Sequence, residues 1–275
     1  MHPILFYIPI SVEGMYIPVY SYDLFASLSL GLGVFLAVMR AKHRNFEQDV
    51  MLSALLWGLV FIIAGARILF VLTYWSYYKI YPGEILKIWY GGLDLYGGFI
   101  SGLLFFSVYL YFKRLNIWRF GDILSPSLAL GLSIWRIGCF MGGCCFGKPT
   151  TLPWGIHFPK GSIAYYQQIE QLLLQPHAPS SLPVQPTELY ELFGGIILFI
   201  MIMLLEKRKR YDGQLFWSFT IGYAVLRFFD EFARGDFGRG WVWKPYLSLP
   251  QGMSILFIIV ALIVMRVLKR STVQR

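Results

Sequence analysis

Seven apolar runs, each about 17 to 25 residues long and so able to cross a hydrocarbon core as a helix, lie near 17–39, 51–74, 93–112, 120–141, 187–205, 214–232 and 249–268. Few folds accommodate such a series. A spanning segment must satisfy its own backbone polar groups, so the chain is predicted to be an all-α integral membrane protein with seven transmembrane helices. Composition excludes the soluble alternative: 57% of residues are hydrophobic, 14% are charged and the mean hydropathy is +0.57, which leaves too little polar surface for a soluble globule of this size. Met1 to Tyr16 contains Pro3, Pro9 and Glu13 but no lysine or arginine. Without a basic n-region, the first run is expected to be retained.

The formal net charge of +9 does not point to nucleic acid, because the cations flank apolar runs instead of gathering on one soluble face. Alternate links are basic: Arg40, Lys42 and Arg44; Lys113, Arg114 and Arg119; Lys207, Arg208, Lys209 and Arg210; and Lys269, Arg270 and Arg275. By the positive-inside rule these links face the cytoplasm, the N-terminus is external and the C-terminus is cytoplasmic. The opposite links, 75–92, 142–186 and 233–248, are richer in tryptophan, tyrosine, proline and glycine. The longest, 142–186, is expected to form a small external cap between helices four and five, with one short helix near Ala164–Leu174. No internal repeat is visible, and 1–275 reads as a single polytopic membrane domain.

Within this frame, chemistry concentrates where charge enters apolar helices. Arg136 stands in LALGLSIWRIGCFMGGCCFGKPT, where a guanidinium costs on the order of 2.5 to 3.5 kcal/mol to insert. It is expected to face a polar cavity or an anion. Arg227, Glu231 and Arg234 recur at i, i+4 and i+7 and share one helix face. They read either as a salt-bridged ladder or, with Arg136, as a phosphodiester site. Arg67 is a third buried cation, seated against a carbonyl or against Asp122. Tyr90–Gly98, YGGLDLYGG, offers backbone N–H groups at a helix N-terminus to a phosphate, or else small residues for close helix packing. Gln185–Glu191, QPTELYE, opens the fifth run with carboxylates where the helix dipole favours them. Cys139, Cys144 and Cys145 contain no CxxC pair and adjacent cysteines rarely reach one ion, so they are expected to act as soft packing residues with no bound metal.

The ordered set WYGGLDLYGG, WRIGCFMGGCCFGKP, QPTELYE and IGYAVLRFFDEFARG resembles the prolipoprotein diacylglyceryl transferase family, over nearly the whole chain. The resemblance implies a multi-pass enzyme of the bacterial inner membrane, without a cofactor. Its implied partners are phosphatidylglycerol, a prolipoprotein substrate and membrane lipid. It would move diacylglyceryl from phosphatidylglycerol to a lipobox cysteine thiol and release glycerol 1-phosphate.

Carried over by motif, the catalytic residues fall on Arg136, Arg227 and Glu231, and Tyr96 joins them as a candidate for proton transfer at the position where the family has histidine. Substrate-binding positions fall on Arg136, Tyr22, Gly97, Gly98, Cys139, Gly147 and Arg234. Three positions depart from the family pattern: Tyr96 and Gln185 stand where histidines are usual, and Cys139 where asparagine is. The departures leave a family paralogue with another acceptor as one alternative, and a transporter of an anionic solute as the other.

Overall fold

The computed structural model describes residues 4–9, 16–235, 240–244 and 246–273. In chain order these form β1 (Ile4–Pro9), β2 (Tyr16–Tyr20), α1 (Ser21–His43), α2 (Gln48–Thr73), α3 (Trp75–Tyr78), α4 (Leu95–Phe112), α5 (Ile117–Gly142), α6 (Ile163–Glu170), α7 (Thr187–Glu206), α8 (Gln214–Ala233), β3 (Trp241–Trp243), β4 (Leu247–Ser248) and α9 (Leu249–Val273). The two strand pairs, β1 with β2 and β3 with β4, are antiparallel hairpins.

Seven of the helices are long, and six of them (α1, α2, α4, α5, α7 and α9) are apolar enough to cross a membrane. The chain is thus a mostly helical, multi-pass membrane protein. Expectation and structure differ at two places. Helix α8 has the length of a span but carries Arg227, Asp230 and Glu231 in its second half, which removes it from the apolar set. Residues 17–20, expected in the first span, pair with 4–8 in β2, so α1 begins at Ser21.

The contacts divide the chain into two compact units, 36–123 and 1–35 together with 124–275. In the first, α2 and α4 approach through small residues. A methyl group at Gly97 would lie 2.4 Å from the Gly65 carbonyl oxygen, and one at Gly65 would lie 2.1 Å from the Ser101 hydroxyl. Only hydrogen at these positions lets the two backbones come so near.

Arg67 of α2 organises the link between those helices. Its Nε donates to the Ile85 carbonyl at 2.8 Å, Nη1 to those of Gly91 and Gly92 at 2.8 and 2.9 Å, and Nη2 to that of Glu84 at 2.8 Å. The guanidinium also sits 5.3 Å from the Tyr78 ring centre. Of the two expected seats, the carbonyls hold it. A planar fork with five donors suits such a cage, and the aromatic link is folded around a single buried cation.

In the second unit, Ala129 of α5, Leu198 and Ile202 of α7, and Leu215 and Phe219 of α8 form an apolar core. The cap at 142–186 has a smaller one, built from Phe146, Phe158, Ala164 and Val184. Its helix α6 starts at Ser162, whose hydroxyl accepts the Tyr165 amide at 3.2 Å, and stops before Leu172, which has a φ of +59°. Short β-bridges between Pro149 and Val184, Ile156 and Val184, and Pro159 and Ser180 tie the rest of the cap together.

Candidate functional site

The candidate site lies in the second unit, where α5, α7 and α8 each bring charge to one place. Glu191, in the second turn of α7, is its centre. Arg136 Nη2 approaches Glu191 Oε2 at 2.5 Å, Arg234 Nη1 approaches Oε1 at 3.2 Å, and Arg227 Nη1 reaches Oε1 at 4.0 Å. Arg227 is held further by Asp230 Oδ2 at 3.1 Å and by Glu231 Oε2 at 3.1 Å. The expected i, i+4 contact between Arg227 and Glu231 is present, whereas Arg234 turns across to α7.

Three guanidinium groups thus meet three carboxylates: Glu191, Asp230, Glu231 and Arg234 are buried, and Arg136 and Arg227 are mostly so. A charge in such surroundings is tolerated only when it is paired and hydrogen-bonded. Each guanidinium has five N–H donors, and the contact with Glu191 occupies one nitrogen of Arg136, while another lies 3.8 Å from Cys139 Sγ. The cluster can therefore be locally neutral while keeping donors for an anion.

Helix spacing places these side chains. A methyl group at Gly195 would meet the Ser133 hydroxyl at 2.3 Å, and one at Gly194 would meet Leu226 at 2.4 Å. Glycine in α7 therefore draws α5 and α8 close around it. Beyond the helices, the loop carrying Gly147 threads between two backbone segments. Gly147 N donates to the Gln185 carbonyl at 2.9 Å, Lys148 N to that of Ala233 at 2.7 Å, and Gly235 N to that of Phe146 at 3.1 Å. A methyl at Gly147 would lie 2.4 Å from the Gln185 oxygen. Gly147 also bridges Arg234 directly, so this glycine fixes the end of α8 from which Arg234 departs.

Tyr22 of α1 packs edge-on to Trp135, with ring centres 6.0 Å apart. A methyl at Gly138 would lie 3.2 Å from the Tyr22 carbonyl, so α1 and α5 run close together there. Arg136, Arg227, Glu231, Arg234, Gly147, Cys139 and Tyr22 all belong to this unit.

Tyr96, Gly97 and Gly98 belong to the other unit and open α4. Asp94 caps that helix: its Oδ1 accepts the Tyr96 amide at 2.8 Å and the Gly97 amide at 3.1 Å. The N–H groups that the sequence offered to a phosphate are committed to a carboxylate, and Gly97 and Gly98 pack on Gly65 and Ile62 of α2. Tyr96 itself is about half exposed.

Two features escaped the sequence reading. Glu191 looked like one of several carboxylates suited to a helix start, and nothing in its spacing marked it as the partner of three arginines. Glu188, one turn earlier, is 1% exposed, and neither of its carboxyl oxygens has a hydrogen-bond partner among the described residues. Its neighbour Thr187 donates its hydroxyl to the Cys145 carbonyl at 2.7 Å.

The cysteines lie closer together than their spacing suggests. Although linear spacing disfavours a shared ion, the three Sγ atoms lie within 4.8 Å of one another. The Cys145 thiol is pushed well below the usual thiol range by hydrogen bonds with the Cys139 and Cys144 thiols, and the Arg234 and Arg136 charges act in the same direction against burial.

A family model described as prolipoprotein diacylglyceryl transferase matches residues 9–267. Among similar curated proteins, the phosphatidylglycerol-prolipoprotein diacylglyceryl transferase of Listeria welshimeri is 30% identical over 267 residues, covering 96% of this chain and 91% of its own. The proteins of the same name from Finegoldia magna and Clostridium tetani are each 32% identical, over 92% and 94% of this chain and 92% and 97% of theirs.

Proposed function

The chain belongs to the prolipoprotein diacylglyceryl transferase family, and from that premise we propose that it moves the diacylglyceryl group of phosphatidylglycerol onto the thiol of a prolipoprotein lipobox cysteine. Glycerol 1-phosphate leaves. The observation that carries this reading is the convergence of Arg136, Arg227 and Arg234 on Glu191 among membrane helices.

The reaction is a displacement at a glycerol carbon. Sulfur forms the new bond while the carbon–oxygen bond to phosphate breaks, and negative charge grows on the departing phosphate. Guanidinium groups fixed in advance stabilise that charge without reorganising, and they do so more strongly where water is excluded. Arg136 and Arg227 take this role, through donors not used by their carboxylate partners. Arg234 and Glu231 hold the two ends of the cluster in register, and Gly147 holds Arg234. Cys139 lies 3.8 Å from Arg136 and Tyr22 packs on the adjacent Trp135, and Gly97 and Gly98 let α4 approach α2 so that Tyr96 is presented at its start.

The acceptor thiol must lose its proton. Glu231 is already the counter-ion of Arg227, whereas Glu188 keeps both oxygens free of hydrogen bonds among the described residues. Glu188 is therefore the proton acceptor we favour, with Glu231 behind it. The protein would act in the bacterial inner membrane with its N-terminus and the 142–186 cap outside, as the basic links at the opposite ends of the helices support.

Release of glycerol 1-phosphate tests the reading. Purified protein given phosphatidylglycerol and a lipobox peptide should release it in step with peptide consumption, and a peptide with serine in place of the cysteine should abolish release. No release with any anionic phospholipid would favour a paralogue with another acceptor or a transporter.

A further inference from the structure

Cys139 lies in the last turn of α5 and Cys144 and Cys145 follow the helix, yet a reversal of the chain brings all three together. Gly143 has a φ of +70° and Cys145 a φ of +67°, and the Cys144 amide returns to the Cys139 carbonyl at 3.1 Å. Glycine adopts that region freely. A cysteine there is uncommon, and a residue held in a sparse backbone region points to something gained by holding it.

What the turn produces is three sulfurs within 4.8 Å of one another. Zinc–thiolate bonds of about 2.3 Å place sulfurs roughly 3.8 Å apart in a tetrahedral site. Side-chain movements of about an ångström or less close the set around one ion. Cys139 is buried, while Cys144 and Cys145 are only partly so, which leaves a side open. Charge fits as well. Three thiolates and a divalent cation sum to one negative charge, and Arg136 Nη1 stands 3.8 Å from Cys139 Sγ, an outer contact of the kind that steadies metal-bound sulfur.

We propose that Cys139, Cys144 and Cys145 bind a thiophilic divalent cation of the zinc class, and that the fourth coordination position takes the acceptor thiol. The metal site stands on the geometry of the sulfurs; the identity of the fourth ligand rests on the transferase reading. Three protein ligands and one open position are the pattern of catalytic zinc, and a thiol that coordinates such an ion is deprotonated. Loading forms three metal–sulfur bonds and releases whatever thiol protons the three cysteines still carry. The acceptor thiol gives its proton to a nearby carboxylate as it becomes the fourth ligand. During transfer its sulfur forms the carbon–sulfur bond, the carbon–oxygen bond to phosphate breaks with its electron pair on oxygen, and the resulting thioether, a weaker ligand, leaves the metal. No electron is exchanged with the ion.

The test uses full-length protein in detergent, stripped with a chelator and titrated with cobalt(II) as a coloured substitute. One equivalent per chain should bind, with thiolate-to-cobalt charge-transfer absorption that is lost in Cys139→Ser and in Cys144→Ser/Cys145→Ser. Adding a lipobox peptide with its cysteine should shift that absorption, and the serine peptide should not. Absence of the thiolate band in the wild-type protein, or a band indifferent to the peptide thiol, overturns the proposal, and neither result depends on a variant folding. Peptide lipidation is followed on the same samples. Undiminished lipidation by stripped protein overturns the metal's part and leaves the transferase reading standing, whereas a thiol-responsive cobalt site without lipidation supports the site and sinks the transferase reading.

Discussion

Glu191 has to satisfy three arginines at once, and the consequences of changing any partner follow from that. Replacing Arg136 by lysine keeps the charge but loses the planar fork that holds Glu191 and that the proposed reaction uses on the phosphate. Arg136→Lys should slow transfer at least about tenfold, or roughly 1.4 kcal/mol in the barrier. Arg136→Gln should also lower the melting temperature, since removing one member of a buried ion pair leaves its partner uncompensated. The double variant Arg136→Gln/Glu191→Gln restores the charge balance and should recover part of the melting temperature but not the rate, because Arg234 still loses its nearest carboxylate. Recovery of both would make the cluster purely structural. Arg136, Arg227, Glu231 and Arg234 were legible in the sequence because charge in an apolar helix is expensive and therefore conspicuous. Glu191 was not, because a carboxylate near a helix start is ordinary, and its three partners lie far away in sequence.

Elements were legible where a simple period or length decides them, and illegible where pairing does. All seven long helices coincide with the seven apolar runs, but the first begins at Ser21 because residues 16–20 find a strand partner in 4–9. No local signal in 17–20 distinguishes a strand from the start of a helix. The glycines of the YGGLDLYGG motif illustrate the same limit, since close packing and anion binding both call for small residues and only the partner element decides. Close packing at Gly97 has a measurable consequence. Gly97→Ala would push α4 off the Gly65 carbonyl, and it should lower the melting temperature more than Gly98→Ala, whose methyl would meet Ile62 at 3.3 Å. Gly147→Ala should act on the site itself by displacing the backbone at Gln185 and Ala233, reducing transfer at least about tenfold. Gly31→Ala, with nothing within 4 Å of the added methyl, should leave the rate unchanged; equal rates for both variants would remove Gly147 from the positioning of Arg234.

For the whole molecule, composition points to the environment and the alternation of basic links proposes a direction. The cap at 142–186 should face outward and the 113–119 link inward. A cysteine introduced at Leu172, which is 93% exposed, should label with a membrane-impermeant maleimide in intact cells above the native background. One introduced at Lys113 should label only after lysis, and the reverse pattern would move the site to the cytoplasmic face. The chemistry of the molecule is tested most directly by the mass of a lipobox peptide incubated with phosphatidylglycerol and purified protein. The peptide should gain one diacylglyceryl group at its cysteine with the wild-type chain and gain it at least about tenfold more slowly with Arg136→Lys at matched folded concentration. An unchanged peptide mass with the wild-type chain, or equal rates for wild type and Arg136→Gln, would contradict the account.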